Sequence, residues 1–169
     1  MCVRMIPRLC ALALATLAIG CVSPSDPPDP MEELREATEP FKQVSAAQAA
    51  GYAPAGPCVA SPAGGMGIHY TNASLVDAVV DARHPEALLY APTAGGGREL
   101  VGAEFVVAAD AWDAANSTPP SFAGQAFDDH RAPAARHGLP FAHYDLHVWV
   151  WKTNPAGMFA PFNSTVSCS

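Results

Sequence analysis

The sequence contains little positive charge. Nine Lys and Arg residues stand against sixteen Asp and Glu residues in a chain of 169. Two of the nine, Arg4 and Arg8, lie within the first 20 residues, so the rest of the chain carries seven basic and sixteen acidic side chains, a formal charge of −9. Proteins that bind nucleic acids cluster Lys and Arg against the phosphates. The basic residues of this chain are scattered, and we expect no nucleic-acid partner.

The sequence also lacks the short motifs of nucleophilic catalysis and phosphate binding. It contains no Gly-x-Ser-x-Gly, no Ser-x-x-Lys, no Gly-Lys-Thr and no Cys-x-x-Cys. Such motifs place an activated hydroxyl or thiol, or a loop of backbone amides, beside a reacting group. We therefore assign no catalytic residue from the sequence.

The apolar run near the start of the chain, residues 11–19, is too short to cross a bilayer as a helix, which takes roughly 20 residues. It follows Arg4 and Arg8 and precedes Gly20 and Cys21. A basic start, a short apolar core and a small residue before a cysteine are typical of a lipoprotein signal peptide.

This leader predicts the location of the mature protein. We expect residues 1–20 to be cleaved, so that Cys21 becomes a lipid-bearing N-terminus and anchors the protein to a cell membrane or outer membrane, outside the cytoplasm. Plain secretion is the alternative, because Ala18 occupies a position where a larger aliphatic residue is more usual. Residues 21–30, rich in Ser, Asp and Pro, are predicted to form a tether, and residues 31–169 a single domain.

Cysteine is scarce in the predicted domain. Of five cysteines, three lie in the leader or at its cleavage point, which leaves Cys58 and Cys168. Outside the cytoplasm these two are expected to form a disulfide that closes a loop of about 110 residues. A loop of that size contributes about 4 to 5 kcal/mol in the chain-entropy model. Two independent free thiols are the alternative.

The pattern of apolar residues predicts an α+β domain, in which an N-terminal helix packs on a mainly antiparallel sheet. Residues 31–50, rich in Glu, Gln and Ala, predict one or two helices, with Thr38 as a cap before Pro40. Short apolar runs separated by turn residues then predict strands at residues 66–71, 87–91, 100–108 and 143–152. The glycines at 95–97 are expected to join the second and third strands as a hairpin. Residues 117–140 form a long excursion before the last strand.

The last predicted strand has the most informative pattern. Residues 143–151, HYDLHVWVW, alternate almost strictly between two sets of side chains. Successive side chains of a strand point to opposite faces. One face is therefore expected to carry Tyr144, Leu146, Val148 and Val150, and the other His143, Asp145, His147, Trp149 and Trp151.

The imidazole and carboxylate groups of the second face predict a site for a metal ion or a small ligand. His143 and His147 cannot easily share one ion, because four residues of strand separate them by about 13 Å. A more credible site combines Asp145 and one flanking histidine with His69 and Glu104 from other strands. Nitrogen and oxygen ligands of this kind suit a divalent transition metal, such as zinc, copper, iron or manganese.

Trp149 and Trp151 are expected to form apolar walls beside this site. Two other interpretations stay open. The His and Asp side chains could hydrogen-bond one another across a partly hydrated face, or they could serve acid/base catalysis. His130 and His137 lie in the predicted excursion, where we expect solvated surface.

Several segments resemble a family of uncharacterised bacterial secreted proteins and lipoproteins. The matching segments are residues 49–52 (AAGY), 64–72 (GGMGIHYTN), 85–90 (PEALLY), 100–105 (LVGAEF), 143–149 (HYDLHVW) and 154–160 (NPAGMFA). Together they cover most of the region from 38 to 168. The resemblance implies an extracytoplasmic single domain and names no reaction. Its motif residues include His69, Glu104, His143, Asp145 and His147.

These features predict a cell-envelope lipoprotein that binds a metal ion or a small ligand at its His, carboxylate and Trp face. One alternative is a metal-dependent extracytoplasmic enzyme that uses the same ligands and an open coordination position. Another is a structural or interaction lipoprotein in which the face only packs. The sequence specifies neither the ligand nor a protein partner.

Overall fold

The structure, a computed structural model, describes residues 28–137 and 139–169. The predicted signal peptide, residues 1–20, and the predicted lipidation site, Cys21, lie outside the described residues, as do residues 22–27 of the predicted tether. Within the described part of the chain, no helix is both long enough and apolar enough to span a membrane.

The domain begins with helical segments where the sequence predicts them. These are α1 (Pro30–Thr38), a 3₁₀ turn (Glu39–Lys42) and α2 (Val44–Ala49). Helix α3 (Ala109–Asp113) and a second 3₁₀ turn (Pro133–Ala135) lie further along the chain. Helix α1 is capped by Asp29, whose carboxylate accepts a hydrogen bond from the Met31 amide. Thr38 does not cap the following segment as predicted, because its hydroxyl donates to the Leu34 carbonyl oxygen at 2.7 Å.

The strands form a mainly antiparallel arrangement, as predicted. Within the described residues they are β1 (Ala53–Pro54), β2 (Val59–Ser61), β3 (Gly64–Thr71), β4 (Ala87–Pro92), β5 (Arg98–Ala108), β6 (Ser121–Phe122), β7 (Gln125–Ala126), β8 (Asp128–His130) and β9 (His143–Val148). One sheet has the order β1-β3-β4-β5-β9-β8, with β2 also paired to β3, while β6 and β7 form a separate hairpin. The predicted α+β class is therefore confirmed.

Three of the four predicted strands, those at residues 66–71, 87–91 and 100–108, are confirmed within two residues at each end. The fourth is wrong at its C-terminal end, because β9 stops at Val148 and not at residue 152. There the Trp149 amide donates to the Met158 carbonyl oxygen at 2.9 Å. The Trp151 and Lys152 amides both turn to the Val101 carbonyl oxygen, so the chain leaves the regular ladder.

The two faces of the sheet differ in character. One, which we call the helix face, packs against α1 and α2 and forms the apolar core. Its fully buried members include Leu34, Ala47, Leu88, Tyr90, Phe105, Leu146 and Val148. The opposite face, which we call the polar face, carries His69, Glu104, His143, Asp145 and His147. Alternation along β9 therefore divides residues 143–148 between the faces as predicted.

The excursion at residues 117–140 contributes structure of its own. Phe122 and Phe127 pack on Phe105 of the helix face, with ring centroids 4.6 and 6.1 Å away. The chain then forms β8, which pairs with β9 at the edge of the sheet. The sequence pattern gives no sign of β8, because its three residues are all polar and show no alternation with apolar ones.

Cys58 and Cys168 form the predicted disulfide. The bridge ties the segment just before β2 to the C-terminal segment. This segment also lies directly against β3, since the Gly65 amide is 3.1 Å from the Asn163 carbonyl oxygen and 3.0 Å from that of Val166. A Cβ atom at Gly65 would lie only 2.9 Å from the Val166 side chain. The C-terminal segment is thus fastened to the strand that carries His69.

Glu86 completes the hydrogen bonding of β5 from a buried position just before β4. The pairing of β4 with β5 begins at Ala87, opposite Glu104, so the Val106 amide extends past the end of β4. Glu86 Oε2 accepts a hydrogen bond from this amide at 2.9 Å. Burial raises the pKa of Glu86 to about 8, and the Val106 hydrogen bond offsets only part of that rise. Glu86 is therefore mostly protonated in the folded protein at neutral pH.

We predict that Glu86→Gln flattens the pH dependence of stability. Because the pKa of Glu86 is higher in the folded protein than in the unfolded chain, its stabilising effect is complete below about pH 4.5 and is lost as the pH rises through about 8. Between these two pH values, ionisation of Glu86 lowers the free energy of unfolding by up to about 1.4 kcal/mol per pH unit. Glutamine keeps a carbonyl acceptor for the Val106 amide and cannot ionise. Urea unfolding measured from pH 5 to pH 9 should show a smaller loss of stability in the variant than in the parent protein.

Substitution of the exposed Glu36 by Gln is the control, and this variant should show the same dependence of the free energy of unfolding on pH as the parent. Equal slopes for Glu86→Gln and the parent protein would contradict the assignment of a protonated, buried Glu86.

Candidate metal centre

The register of β5 and β9 places two of the predicted ligands side by side. Glu104 pairs directly with His147, and directly opposite residues point to the same face. The strands approach closely beside this pair, since a Cβ atom at Gly102 would lie only 2.6 Å from the Val148 carbonyl oxygen. Both side chains are largely buried, with 8 % of Glu104 and 4 % of His147 exposed.

His69 reaches the same point from β3, two strands away. Strand β4 lies between β3 and β5 and contributes Ala87 and Leu89 to this face. Ala87, directly opposite Glu104, contributes only a methyl group to this face. His69 Nε2 lies 3.5 Å from Glu104 Oε2 and 3.4 Å from His147 Nε2.

We call His69, Glu104 and His147 the inner triad. The remaining separation, from His147 Nε2 to Glu104 Oε1, is 3.8 Å. All three separations exceed the 2.7–3.2 Å of ordinary N–H···O hydrogen bonds. The two separations from His69 Nε2, 3.4 and 3.5 Å, are close to the spacing of ligands around a tetrahedral ion, because bonds of about 2.0–2.1 Å place two ligand atoms roughly 3.3–3.4 Å apart. The inner triad therefore has the donor set and the spacing of a metal centre.

Burial controls the protonation of the inner triad. It lowers the pKa of His147 to about 4, with His69 contributing, and it lowers the pKa of His69 against the opposing effect of Asp145. Neutral imidazole is the form that binds a metal. Burial also raises the pKa of Glu104 well above its ordinary value, and the nearby Asp145 and Glu86 add to the rise. A cation at this point would favour the ionised form of Glu104.

The other two predicted ligands, His143 and Asp145, lie further along β9 and meet a residue from β8. His130 pairs with His143, and its Nε2 lies 3.2 Å from Asp145 Oδ1. His143 Nε2 lies 3.7 Å from Asp145 Oδ2. We call His130, His143 and Asp145 the outer triad. Within residues 28–137 and 139–169, these two triads are the groups in which three possible ligand atoms all lie within 4.8 Å of one another.

His130 is the residue that sequence reasoning missed. The sequence predicts it at the solvated surface, but β8 holds it against β9 with 14 % of its side chain exposed. A polar run of three residues in a segment rich in Pro and Gly carries no strand signal. Its position depends on the pairing of β8 with β9, which the local sequence does not encode.

The two tryptophans lie on different sides of the sheet. Trp149 follows His147 on the polar face, where it packs with Leu89 and Val166. Trp151 does not form a wall of the site, since its indole nitrogen donates to Thr38 Oγ1 on the helix side at 3.0 Å. The reason is the early end of β9, after which the alternation of a strand no longer applies. Only Trp149 is therefore placed beside the predicted ligands.

Comparison of the chain with family models, with curated proteins and with solved structures gives no match.

We predict that a neutral, buried His147 makes the metal-free protein less stable in mild acid. Because the pKa of His147 is about 4 in the folded protein and about 6.5 in the unfolded chain, its contribution is complete above pH 6.5 and is lost as the pH falls through about 4. The loss from this residue between pH 7 and pH 5 is about 2 kcal/mol. Urea unfolding of chelator-treated protein should show a smaller loss in His147→Gln than in the parent.

His84→Gln, which changes an exposed histidine outside both triads, is the matched control and should lose as much stability as the parent. If His147→Gln loses stability to the same extent as the parent, His147 is not neutral and buried.

Proposed function

We propose that this protein binds a divalent transition-metal ion at the inner triad and serves as a metal-binding module of the cell envelope. The observation that carries the proposal is the convergence of His69, Glu104 and His147. The two Nε2 atoms lie 3.4 Å apart, and the Glu104 carboxylate lies 3.5 Å from His69 Nε2 through Oε2 and 3.8 Å from His147 Nε2 through Oε1. The three side chains converge but form no short hydrogen bonds with one another. A cation would fit between them.

The donor set narrows the class of ion. Calcium and magnesium prefer oxygen ligands, whereas imidazole nitrogen favours zinc, copper, iron and nickel. Two imidazoles and one carboxylate at near-tetrahedral spacing fit zinc best, since zinc commonly takes two His and one Glu with bonds of about 2.0–2.2 Å. We therefore infer zinc as the first ion to test.

The proposed location outside the cytoplasm rests on the leader and the disulfide. Residues 1–20 and Cys21 have the pattern of a lipoprotein signal peptide and its lipidated cysteine. The Cys58–Cys168 bridge supports an oxidising compartment, where such bonds form and persist. We propose a lipid-anchored protein whose described domain lies outside the cytoplasm, with the membrane as the partner of the anchor.

A second candidate function is metal-dependent catalysis at the same ligands. The specific observation is that the inner triad supplies three protein ligands and is partly open, with 15 % of the His69 side chain and 11 % of that of Glu104 exposed. Catalytic zinc sites have three protein ligands and keep a fourth position for water or substrate. Such a site would lower the pKa of a bound water and generate a nucleophile near neutral pH.

We expect the purified protein, prepared without chelators or a histidine tag, to contain zinc that it loses on substitution of the triad. Loss of an outer contact of a metal ligand typically costs 10- to 100-fold in affinity, so His69→Ala and His147→Ala should each weaken zinc binding by at least about 100-fold. Elemental analysis and competition with a chromophoric chelator measure the stoichiometry and the affinity. Fluorescence of Trp149, which is buried two residues from His147, should report binding.

His84→Ala is the matched control and should bind zinc like the parent. Replacing zinc by Co²⁺ tests the geometry, because a tetrahedral Co²⁺ site absorbs visible light far more strongly than an octahedral one. Wild-type zinc affinity in both His69→Ala and His147→Ala would overturn the assignment of the inner triad. A parent protein that contains no metal and shows no response to added ions would favour a face that only packs.

A further inference from the structure

The outer triad brings together a second pair of histidines and a second carboxylate. His143 is almost fully buried, with 1 % of its side chain exposed, and Asp145 and His130 are exposed by 11 % and 14 %. The ligand atoms of the three side chains all lie within 4.8 Å of one another. Asp128 pairs with Asp145 across β8 and β9 and adds another carboxylate to this end of the polar face. The outer triad therefore has a negative surrounding and its own set of metal donors.

Backbone carbonyl groups fix both imidazole rings of the outer triad. His143 Nδ1 lies 3.1 Å from the Phe141 carbonyl oxygen, and His130 Nδ1 lies 2.6 Å from that of Ala135. A carbonyl oxygen only accepts hydrogen bonds, so the Nδ1 atom of each ring carries a proton. In a neutral imidazole the Nε2 atom then carries a lone pair. Histidines that bind metals are commonly held in this way, with the second ring nitrogen donating to a backbone carbonyl or carboxylate.

Both Nε2 atoms point at the carboxylate of Asp145, each nearer to a different oxygen. An ionised carboxylate also only accepts hydrogen bonds. Lone pairs that face a carboxylate in a mostly buried place are unfavourable unless a positive charge lies between them. That charge is supplied either by a second proton on each ring or by one metal ion shared by all three groups, since a single proton would serve only one of the two Nε2 atoms.

The stacking of the rings favours the ion. The rings of His130 and His143 are nearly parallel, at 21°, with centroids 5.2 Å apart. Two imidazolium ions in this arrangement would repel each other, whereas one divalent ion would satisfy both Nε2 atoms and the carboxylate. His137 lies against His130 with ring centroids 4.9 Å apart, and a third imidazolium there would add to the repulsion.

We infer that the outer triad binds a second divalent transition-metal ion, through Nε2 of His130, Nε2 of His143 and the carboxylate of Asp145. This site is additional to the inner triad and uses none of its residues. Asp145 and His147 are neighbours on the same face of β9, about 7 Å apart along the strand. The two ions would therefore lie next to each other on one face of the sheet.

Zinc stoichiometry of the full chain tests this inference. The parent protein should bind two zinc ions, His130→Ala should bind one, His69→Ala should bind one, and the double variant should bind none. His84→Ala should keep both ions. Elemental analysis after equilibrium dialysis against Zn²⁺ at a fixed concentration gives the counts, and circular dichroism of chelator-treated protein checks that each variant folds. If His130→Ala does not fold, His130→Gln replaces it.

The outcomes separate this inference from the proposed function. One ion in the parent that is retained in His130→Ala and lost in His69→Ala would overturn the second site and leave the inner triad intact. One ion that is lost in His130→Ala and retained in His69→Ala would support the outer triad and overturn the inner one. Loss of all metal in each single variant would indicate one shared site, and would overturn two separate sites.

A second measurement examines the rings themselves. Long-range ¹H–¹⁵N NMR of the histidines should show Nδ1 protonated in His130 and His143 both before and after zinc addition. The Nε2 resonances of the two rings should shift on zinc binding in the parent and in His69→Ala. Both nitrogens protonated at neutral pH, with no change on adding zinc, would overturn the inference, because a proton and not an ion would then balance Asp145.

Discussion

The antiparallel pairing of β5 with β9 is the constraint on which both faces of the sheet depend. It sets Phe105 opposite Leu146 on the helix face and Glu104 opposite His147 on the polar face. Because side chains alternate with a period of two, a slip of one residue would carry the histidines of β9 into the apolar core and Leu146 out of it. The loss of burial that such a slip would cause fixes the register. The apolar alternation that stabilises the core therefore also positions the candidate ligands.

Burying the polar face costs free energy, and favourable interactions elsewhere in the molecule must offset that cost. Burying an imidazole or a carboxyl group without a good partner costs free energy, and the inner triad contains separations too long for strong hydrogen bonds. Compensation comes from the apolar core of the helix face, from the Cys58–Cys168 bridge and from Glu86, which satisfies the Val106 amide beyond the end of β4. A stable scaffold around a locally unfavourable cluster is common at functional sites.

Residues 143–149 show how far the sequence predicts this molecule and where it stops. Their alternation predicts a strand and divides its side chains correctly between two faces, because that division depends only on local geometry. The convergence of His69 with Glu104 follows from the order of neighbouring strands, which the sequence suggested but did not fix. The positions of Trp151 and His130 could not be predicted, since one depends on where β9 leaves the ladder and the other on a short polar strand pairing at the edge.

The unequal anchoring of the two triads has a kinetic consequence. The inner triad draws its residues from β3, β5 and β9, which lie inside the sheet, whereas His130 belongs to β8, a strand of three residues at its edge. Short edge elements open locally at a far lower free energy than central strands. Opening of β8 would release one ligand of the outer triad while the rest of the sheet stays closed. Any ion held there would thus exchange with the surroundings quickly, and an ion at the inner triad slowly.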